Sequence, residues 1–279
     1  MPELPEVEIL VRRLNPLLHG KTIRRVEIRR VRATRPGSPE VFRKAVAGAK
    51  FIGVSRRGKY LLFKLGRART SIQVLGHLGM AGRMFMALKN EELPKHAAIV
   101  FDLGAGKFVY EDHRYFGRMA LDLSPIRKLG AEPLAGDFSP ELLAAGLKPS
   151  RQAIKIKLLD QRLVAGIGNI YASEALFYAG LSPKRPANRL TFSEIKRLWR
   201  GIRGVLKKAI EYGGTVPLKT ISGKSDALFY FSDDGEGHYG KRLRVYGRAG
   251  KPCLKCGTAI RRMTQAGRST FYCPHCQKG

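Results

Sequence analysis

Residues 253–276 read CLKCGTAIRRMTQAGRSTFYCPHC. Two Cys-x-x-Cys pairs, Cys253 with Cys256 and Cys273 with Cys276, stand sixteen residues apart, the spacing at which each pair wraps one side of a tetrahedral zinc ion. Between them Ala259–Thr264 and Ser269–Tyr272 read as strands joined by Gln265-Ala266-Gly267-Arg268, so the metal staples a β-hairpin. These are the only four cysteines in the chain, and in a reducing compartment the pattern means metal and not disulfide. Four thiolates complete the shell without His275 and leave no open position, so one structural zinc is expected and no catalytic metal. Arg261, Arg262 and Arg268 make the hairpin a surface for phosphate.

The charge of the whole chain agrees with such a surface. Among 279 residues, 52 Lys and Arg face 22 Asp and Glu, a net charge of +30, which asks for a polyanion. Apolar residues make up 44% and charged residues 27%, so the chain folds and is not a disordered basic arm. No apolar run is long enough to span a bilayer, and the basic residues are spread along the chain, which favours nucleic acid over a membrane surface. The N-terminus MPELPEVE carries no signal-peptide pattern, so a cytoplasmic, nucleoid-associated location is expected.

Working back from the hairpin, Thr191-Phe-Ser-Glu194 is a capping box, followed by an apolar face of Ile195, Leu198, Trp199, Ile202, Val205, Leu206 and Ala209 and a Gly213-Gly214 stop. Two shorter helices are expected near 151–160 and 170–179. The segment 215–240 has no stable period and reads as a long mobile loop. Between about 124 and 150 turn formers dominate, and a domain boundary falls there. Upstream, seven short β-rich runs between Thr22 and Leu123 are broken by Gly, Pro or charge, as an antiparallel sandwich requires. A helix opens the chain with Val7, Leu10, Val11 and Leu14 on one face and ends at Asn15-Pro16.

Two features outside the hairpin hold chemistry. Gly166-Ile167-Gly168-Asn169 precedes a helix and leaves backbone N–H groups at a positive dipole end; an ordinary cap with Asn169 as N-cap and an anion site both fit it. At the N-terminus, removal of Met1 makes Pro2 a free secondary amine. Such α-amino groups titrate near ~7.7–8.0, so part of it is neutral and able to attack a sugar C1′. Glu3 and Glu6 lie within one turn of it, where they can move protons or orient the amine; a proline-rich helix entry with acidic residues matching the dipole fits the same residues.

Taken together, the residues resemble the formamidopyrimidine-DNA glycosylase family along the whole chain. The matching motifs are PELPE at 2–6, RRGKYL at 56–61, HLGM at 77–80, RYFG at 114–117, AGIGNIYA at 165–172, VYGR at 245–248 and the cysteine pairs. The resemblance implies an α+β protein in three parts: a catalytic N-terminal β-sandwich domain with flanking helices (1–130), a helix-two-turn-helix DNA-binding domain with a lesion-capping loop at about 216–240 (131–240), and a zinc-finger β-hairpin (241–279). It implies Pro2 as nucleophile, Glu3 as proton-transfer partner, Glu6 as supporting carboxylate and Lys59 as active-site cation. His77, Asn169, Tyr246 and Arg268 match phosphate contacts, and Met80, Arg114 and Phe116 match a wedge that fills the vacated base stack. Tyr115 departs from the family, where many relatives carry Arg or Lys, and the loop 216–240 diverges as well.

The activity implied is that of a monomeric DNA-formamidopyrimidine glycosylase and abasic-site lyase, which excises oxidised purines (formamidopyrimidines, 8-oxoguanine) from damaged double-stranded DNA through a Pro2 iminium and cleaves by β,δ-elimination. Three rivals remain. One is an endonuclease VIII-like enzyme for oxidised pyrimidines, against which Leu4 speaks. Another is a non-enzymatic zinc-hairpin DNA-binding protein, and the third a metal-dependent nuclease using Asp102, Glu111 and Asp112.

Overall fold

The computed structural model describes residues 2–215, 218–220, 229–231 and 238–278, with 218–220 and 229–231 described by backbone alone. The chain forms two compact units. One holds Pro2, Glu6–Arg127 and the short strands after residue 217; the other holds Glu3–Pro5, Lys128–Thr215 and the C-terminal segment from His238.

The N-terminal unit is built from α1 (Leu4–Leu18), β1 (Arg25–Ile28), α2 (Pro39–Val46), β2 (Lys50–Arg57), β3 (Tyr60–Arg67), β4 (Thr70–His77), β5 (Arg83–Leu88), β6 (Ala97–Asp102), β7 (Gly106–Glu111), β8 (Arg118–Ala120) and α3 (Ser124–Arg127). The strands make two four-stranded antiparallel sheets, ordered β1-β6-β7-β5 and β2-β3-β4-β8. Their inner faces share an aromatic core in which Phe51 meets Phe63, Phe101 and Phe108 edge-on at 6.3, 6.3 and 6.1 Å. Each such fully buried ring contributes about 2–3 kcal/mol by leaving water.

The first helix does not stop at Asn15. It continues through Pro16 to Leu18, because Leu14 and Leu18 are both in the core and Asn15 Oδ1 takes the N–H of Val54 at 2.8 Å, so packing outweighs the bond that Pro16 cannot donate. Strand β5 and helix α2 were not apparent from pattern. In β5, Met84, Phe85, Met86 and Ala87 are consecutively buried and show no alternation, whereas α2 starts at Ser38, whose side chain accepts the N–H of Val41.

The second unit contains α4 (Pro140–Leu147), α5 (Ile154–Leu158), α6 (Asn169–Ala179) and α7 (Phe192–Glu211). The turn-rich stretch before residue 150 contributes more than a linker: α4 is capped by Ser139 and places Leu143 and Leu147 in the core. The capping box of Thr191 and Glu194 is formed, and the expected face of α7 is buried except for Trp199, which is half-buried and donates its indole N–H to the Phe138 carbonyl at 2.8 Å.

Two further strands, β9 (Leu218–Thr220) and β10 (Phe229–Phe231), pair antiparallel and belong with the N-terminal unit. The remainder of the expected mobile loop up to residue 237 lies outside the described residues. The C-terminal hairpin is β11 (Arg261–Gln265) with β12 (Arg268–Tyr272), turning through Ala266 and Gly267 at φ 45° and 71°, the two left-handed residues of a tight hairpin turn. Among the described residues no helix is long and apolar enough to cross a membrane.

Candidate active site and nucleic-acid interface

In the second unit, the glycine turn before α6 already holds an anion. The Glu3 carboxylate accepts the backbone N–H groups of Gly168 at 2.7 Å, Ile170 at 2.9 Å and Tyr171 at 3.4 Å, and the Leu4 N–H bonds the Gly166 carbonyl at 3.0 Å. Gly168, not Asn169, is the N-cap, and the charge at this dipole end is a side chain of the chain's own N-terminus. A Cβ on Gly168 would collide with the Glu3 carboxyl, which explains the glycine. Residue 3 is thereby fixed one peptide bond from Pro2.

Asn169, the first residue of α6, turns its side chain sideways. Its Oδ1 accepts from Lys155 Nζ at 2.8 Å and its amide donates to the Ser269 carbonyl at 2.9 Å, so α5, α6 and the hairpin meet at one polar point. Lys155 is fully buried and also donates to Thr270 Oγ1 at 3.4 Å. Burial pulls its pKa down to about 8; nearby Arg268 adds to the effect and Glu3 opposes it. Arg268 itself is exposed at the start of β12.

The loop carrying Tyr246 is held from beneath. Glu174, buried inside α6, accepts the N–H groups of Arg244, Val245 and Tyr246 at 2.8, 2.9 and 2.9 Å, and burial lifts its pKa in spite of them. The Tyr246 ring then packs edge-on against Phe271 at 5.0 Å. Neither Lys155 nor Glu174 was singled out from sequence. Each has a visible signal, a lysine between two isoleucines and a glutamate that is the one charged residue of α6.

The four Sγ atoms of Cys253, Cys256, Cys273 and Cys276 lie within 4.8 Å of one another, with Cys253–Cys276 at 4.0 Å and Cys256–Cys273 at 3.5 Å. A tetrahedral ion with metal–sulfur bonds of about 2.3 Å has sulfur edges near 3.8 Å, so the cluster fits one zinc. His275 is exposed and not part of the cluster.

The N-terminal unit contributes a second set. Pro2 and Glu6 are buried, and Lys59, only 8% exposed, follows Gly58 in the β2–β3 turn. Arg56 braces that turn, donating to the Gly58 carbonyl at 3.0 Å and to Glu8 of α1 at 2.9 Å. Across the β3–β4 register Tyr60 faces His77, ring centroids 4.7 Å apart. His77 Nδ1 accepts the Gly79 N–H at 3.1 Å, leaving Nε2 as the protonated nitrogen. Burial pulls the His77 pKa down to about 4, aided by the charges of Arg118 and Lys59 and opposed by Asp112.

Met80 and Phe116 are exposed at 45% and 59%, and Arg114 stacks over the Phe116 ring at 5.4 Å. Their two loops are locked together. A Cβ on Gly79 would stand 2.5 Å from Gly117 N and 2.6 Å from the Phe116 carbonyl carbon. Buried Asp112 accepts from Gly117 N at 2.7 Å, Arg114 N at 3.0 Å and Tyr110 OH at 3.4 Å, so this carboxylate shapes the loop; among the described residues Asp102, Glu111 and Asp112 form no cluster of ligating groups such as a metal-dependent nuclease needs.

A β-sandwich with exposed apolar tips, a helical unit with an anchored terminal glutamate and a four-thiolate hairpin define a zinc-finger protein of the nucleic-acid-binding class. Family models described as formamidopyrimidine-DNA glycosylase N-terminal domain, formamidopyrimidine-DNA glycosylase H2TH domain and zinc finger found in FPG and IleRS match residues 1–119, 129–220 and 250–279. The chain belongs to the formamidopyrimidine-DNA glycosylase family. It is 43% identical over 278 residues to the formamidopyrimidine-DNA glycosylase of Carboxydothermus hydrogenoformans, with all of both chains covered. Its structure is similar to a Lactococcus lactis Fpg variant in complex with a Fapy-dG-containing DNA, at TM-score 0.88 and 34% identity with 100% of each chain covered. It is also similar to the Lactococcus lactis Fpg bound to an abasic-site-containing DNA, at TM-score 0.88 and 35% identity, covering 99% of this chain and 100% of that one.

Proposed function

We infer that this protein is a bifunctional DNA glycosylase and abasic-site lyase of base excision repair, acting on oxidised purines in duplex DNA. The observation that carries the reading is the bond of Glu3 to the α6 N-terminus, which anchors a carboxylate one residue from the Pro2 nitrogen in a chain that matches the family end to end.

With Met1 removed, the Pro2 nitrogen attacks C1′ of the damaged nucleotide with its lone pair. The glycosidic bond breaks and the base leaves with the bonding electron pair and takes up a proton; the Pro2 N–H proton passes to O4′ as the C1′–O4′ bond opens, leaving the iminium. Glu3 is the group for proton transfer at this step, with Glu6 supporting it. Loss of the C2′ proton then expels the 3′ phosphate, and a second elimination expels the 5′ phosphate. Lys59 holds a flanking phosphate as a compact charge. His77 through Nε2–H, Asn169, Tyr246 and Arg268 take further phosphates. Met80, Arg114 and Phe116 fill the gap left by the extruded base.

The zinc, bound by Cys253, Cys256, Cys273 and Cys276, supplies rigidity to the hairpin that presents Arg268. The protein works as a monomer on damaged double-stranded DNA in the bacterial nucleoid. A panel of duplexes carrying 8-oxoguanine, formamidopyrimidine, thymine glycol or an abasic site, assayed with and without EDTA, tests the reading. Release of the purine lesions with strand cleavage is expected to survive EDTA as long as a zinc assay shows the four-cysteine site still loaded; loss of cleavage with that zinc retained, or preference for thymine glycol, contradicts it.

A further inference from the structure

Tyr115 sits between Arg114 and Phe116, two of the three wedge residues, and its surroundings hold its ring in place. It has φ 57°, a left-handed conformation that a bulky side chain adopts only when its neighbours hold it. The neighbours come from one end of the first sheet. Ile28 pairs with Ile99, which brings Arg30 next to the start of β6, and the Arg29 and Arg30 N–H groups bond the Ala98 carbonyl at 2.9 and 3.2 Å. The Asp112 N–H bonds the His96 carbonyl at 3.1 Å, so the exit of β7 is tied to the same corner.

On this corner the Arg30 guanidinium lies 5.3 Å from the centre of the Tyr115 ring, and the His96 ring meets Tyr115 edge-on at 6.5 Å and 73°. Asp112 takes the N–H groups on either side, from Arg114 and Gly117. The loop is therefore gripped twice, by a carboxylate beneath its backbone and by a ring seated on two side chains that flank the neighbouring strands, Arg30 just after β1 and His96 just before β6.

We propose that Tyr115 is a positioning residue of the wedge, its ring docked on Arg30 and His96 so that Arg114 and Phe116 project in their inserting geometry before DNA arrives. The ring fixes the corner in the free protein. The inference rests on the reading of Arg114 and Phe116 as a wedge.

The test uses full-length zinc-loaded enzyme and an 8-oxoguanine duplex with 2-aminopurine beside the lesion, whose fluorescence reports unstacking. Tyr115→Gly removes the ring and accepts the left-handed backbone without strain, and Arg30→Met, which leaves the backbone at residue 115 unchanged and is expected to reproduce part of the loss, separates the ring contact from the added freedom of glycine. Tyr115→Gly is expected to slow the fluorescence step and base release about tenfold, while cleavage of a preformed abasic site stays within about twofold. Tyr115→Phe keeps the ring and is expected to insert within about twofold of wild type, and Arg30→Met is expected to add nothing in the Tyr115→Gly background.

Phe116→Ala, run alongside, separates the two levels of the argument. If it slows insertion and Tyr115→Gly does not, the positioning role is wrong and the wedge stands. If neither slows it, the wedge itself is wrong. Equal losses on intact and abasic duplexes, or a Tyr115→Phe defect as large as that of Tyr115→Gly, also overturn the proposal.

Discussion

The Glu3 carboxylate accepts the Gly168 backbone N–H at 2.7 Å, joining the third residue of the chain to the start of α6 across 165 positions of sequence. Because Ile170 donates to the other oxygen at 2.9 Å, both carboxylate oxygens are used as acceptors. Glu3→Gln is therefore more than the loss of a titrating proton: its NH2 faces a backbone N–H, leaving one buried donor unpaired at about 1–3 kcal/mol. Base release is expected to fall steeply and the melting temperature to drop.

Gly168→Ala separates these effects. The Gly168 backbone, at φ −130°, suits alanine, but the new Cβ meets the Glu3 carboxyl and displaces it. The variant should lose base release as Glu3→Gln does while keeping every titratable group. Normal single-turnover rates in Gly168→Ala would show that the anchored position is immaterial.

His77 gives a pH signature. Its folded pKa of about 4 lies below the ordinary 6.5, so on acidification the unfolded chain takes up the proton first. The stability owed to neutral His77 is complete above pH 6.5 and is lost as pH falls towards 4. In the folded protein a histidine resonance titrating near pH 4 is expected by NMR. His77→Gln, which keeps a neutral donor, should bind DNA better than His77→Ala; a His77 midpoint between pH 6 and 7 would contradict the assignment.

How much of this was legible before the structure depends on what each feature rests on. The zinc hairpin, the α7 capping box and most strands were plain because their signals are local: ligand spacing, a four-residue cap, alternating burial. Strand β5 and the passage of α1 through Pro16 were hidden because tertiary burial overrides local propensity there. In the site, residue types at Glu3 and Gly168 were visible, but their pairing was not, since a glycine turn that binds an external phosphate and one that binds its own N-terminal carboxylate have the same sequence. Lys155, Asp112 and Glu174 were missed as supports for the same reason: each acts on backbone or amide groups distant in sequence or shaped by a loop.

The zinc should be structural. Cys253→Ser is expected to loosen the hairpin and weaken DNA binding while the N-terminal unit keeps its fold, because that unit has its own aromatic core. Circular dichroism and a zinc assay check this, and full activity in zinc-free protein would contradict it.

Affinity for duplex DNA should fall steeply with salt. Lys59, Arg261, Arg262 and Arg268 are the cations placed at phosphates, and four such contacts give a log–log slope of about −3 to −4; Arg268→Ala should reduce it by about one, equally for all sequences. A slope near zero would remove counterion release as the source of binding.

The central claim is that the Pro2 nitrogen forms the covalent intermediate. Borohydride reduction during reaction with an 8-oxoguanine duplex, followed by mass spectrometry of the trapped peptide, tests it directly. The expected result is a deoxyribose adduct on an N-terminal Pro2 with Met1 absent. An adduct on Lys59, Lys155 or another lysine, or undiminished activity in protein that retains Met1, would contradict it.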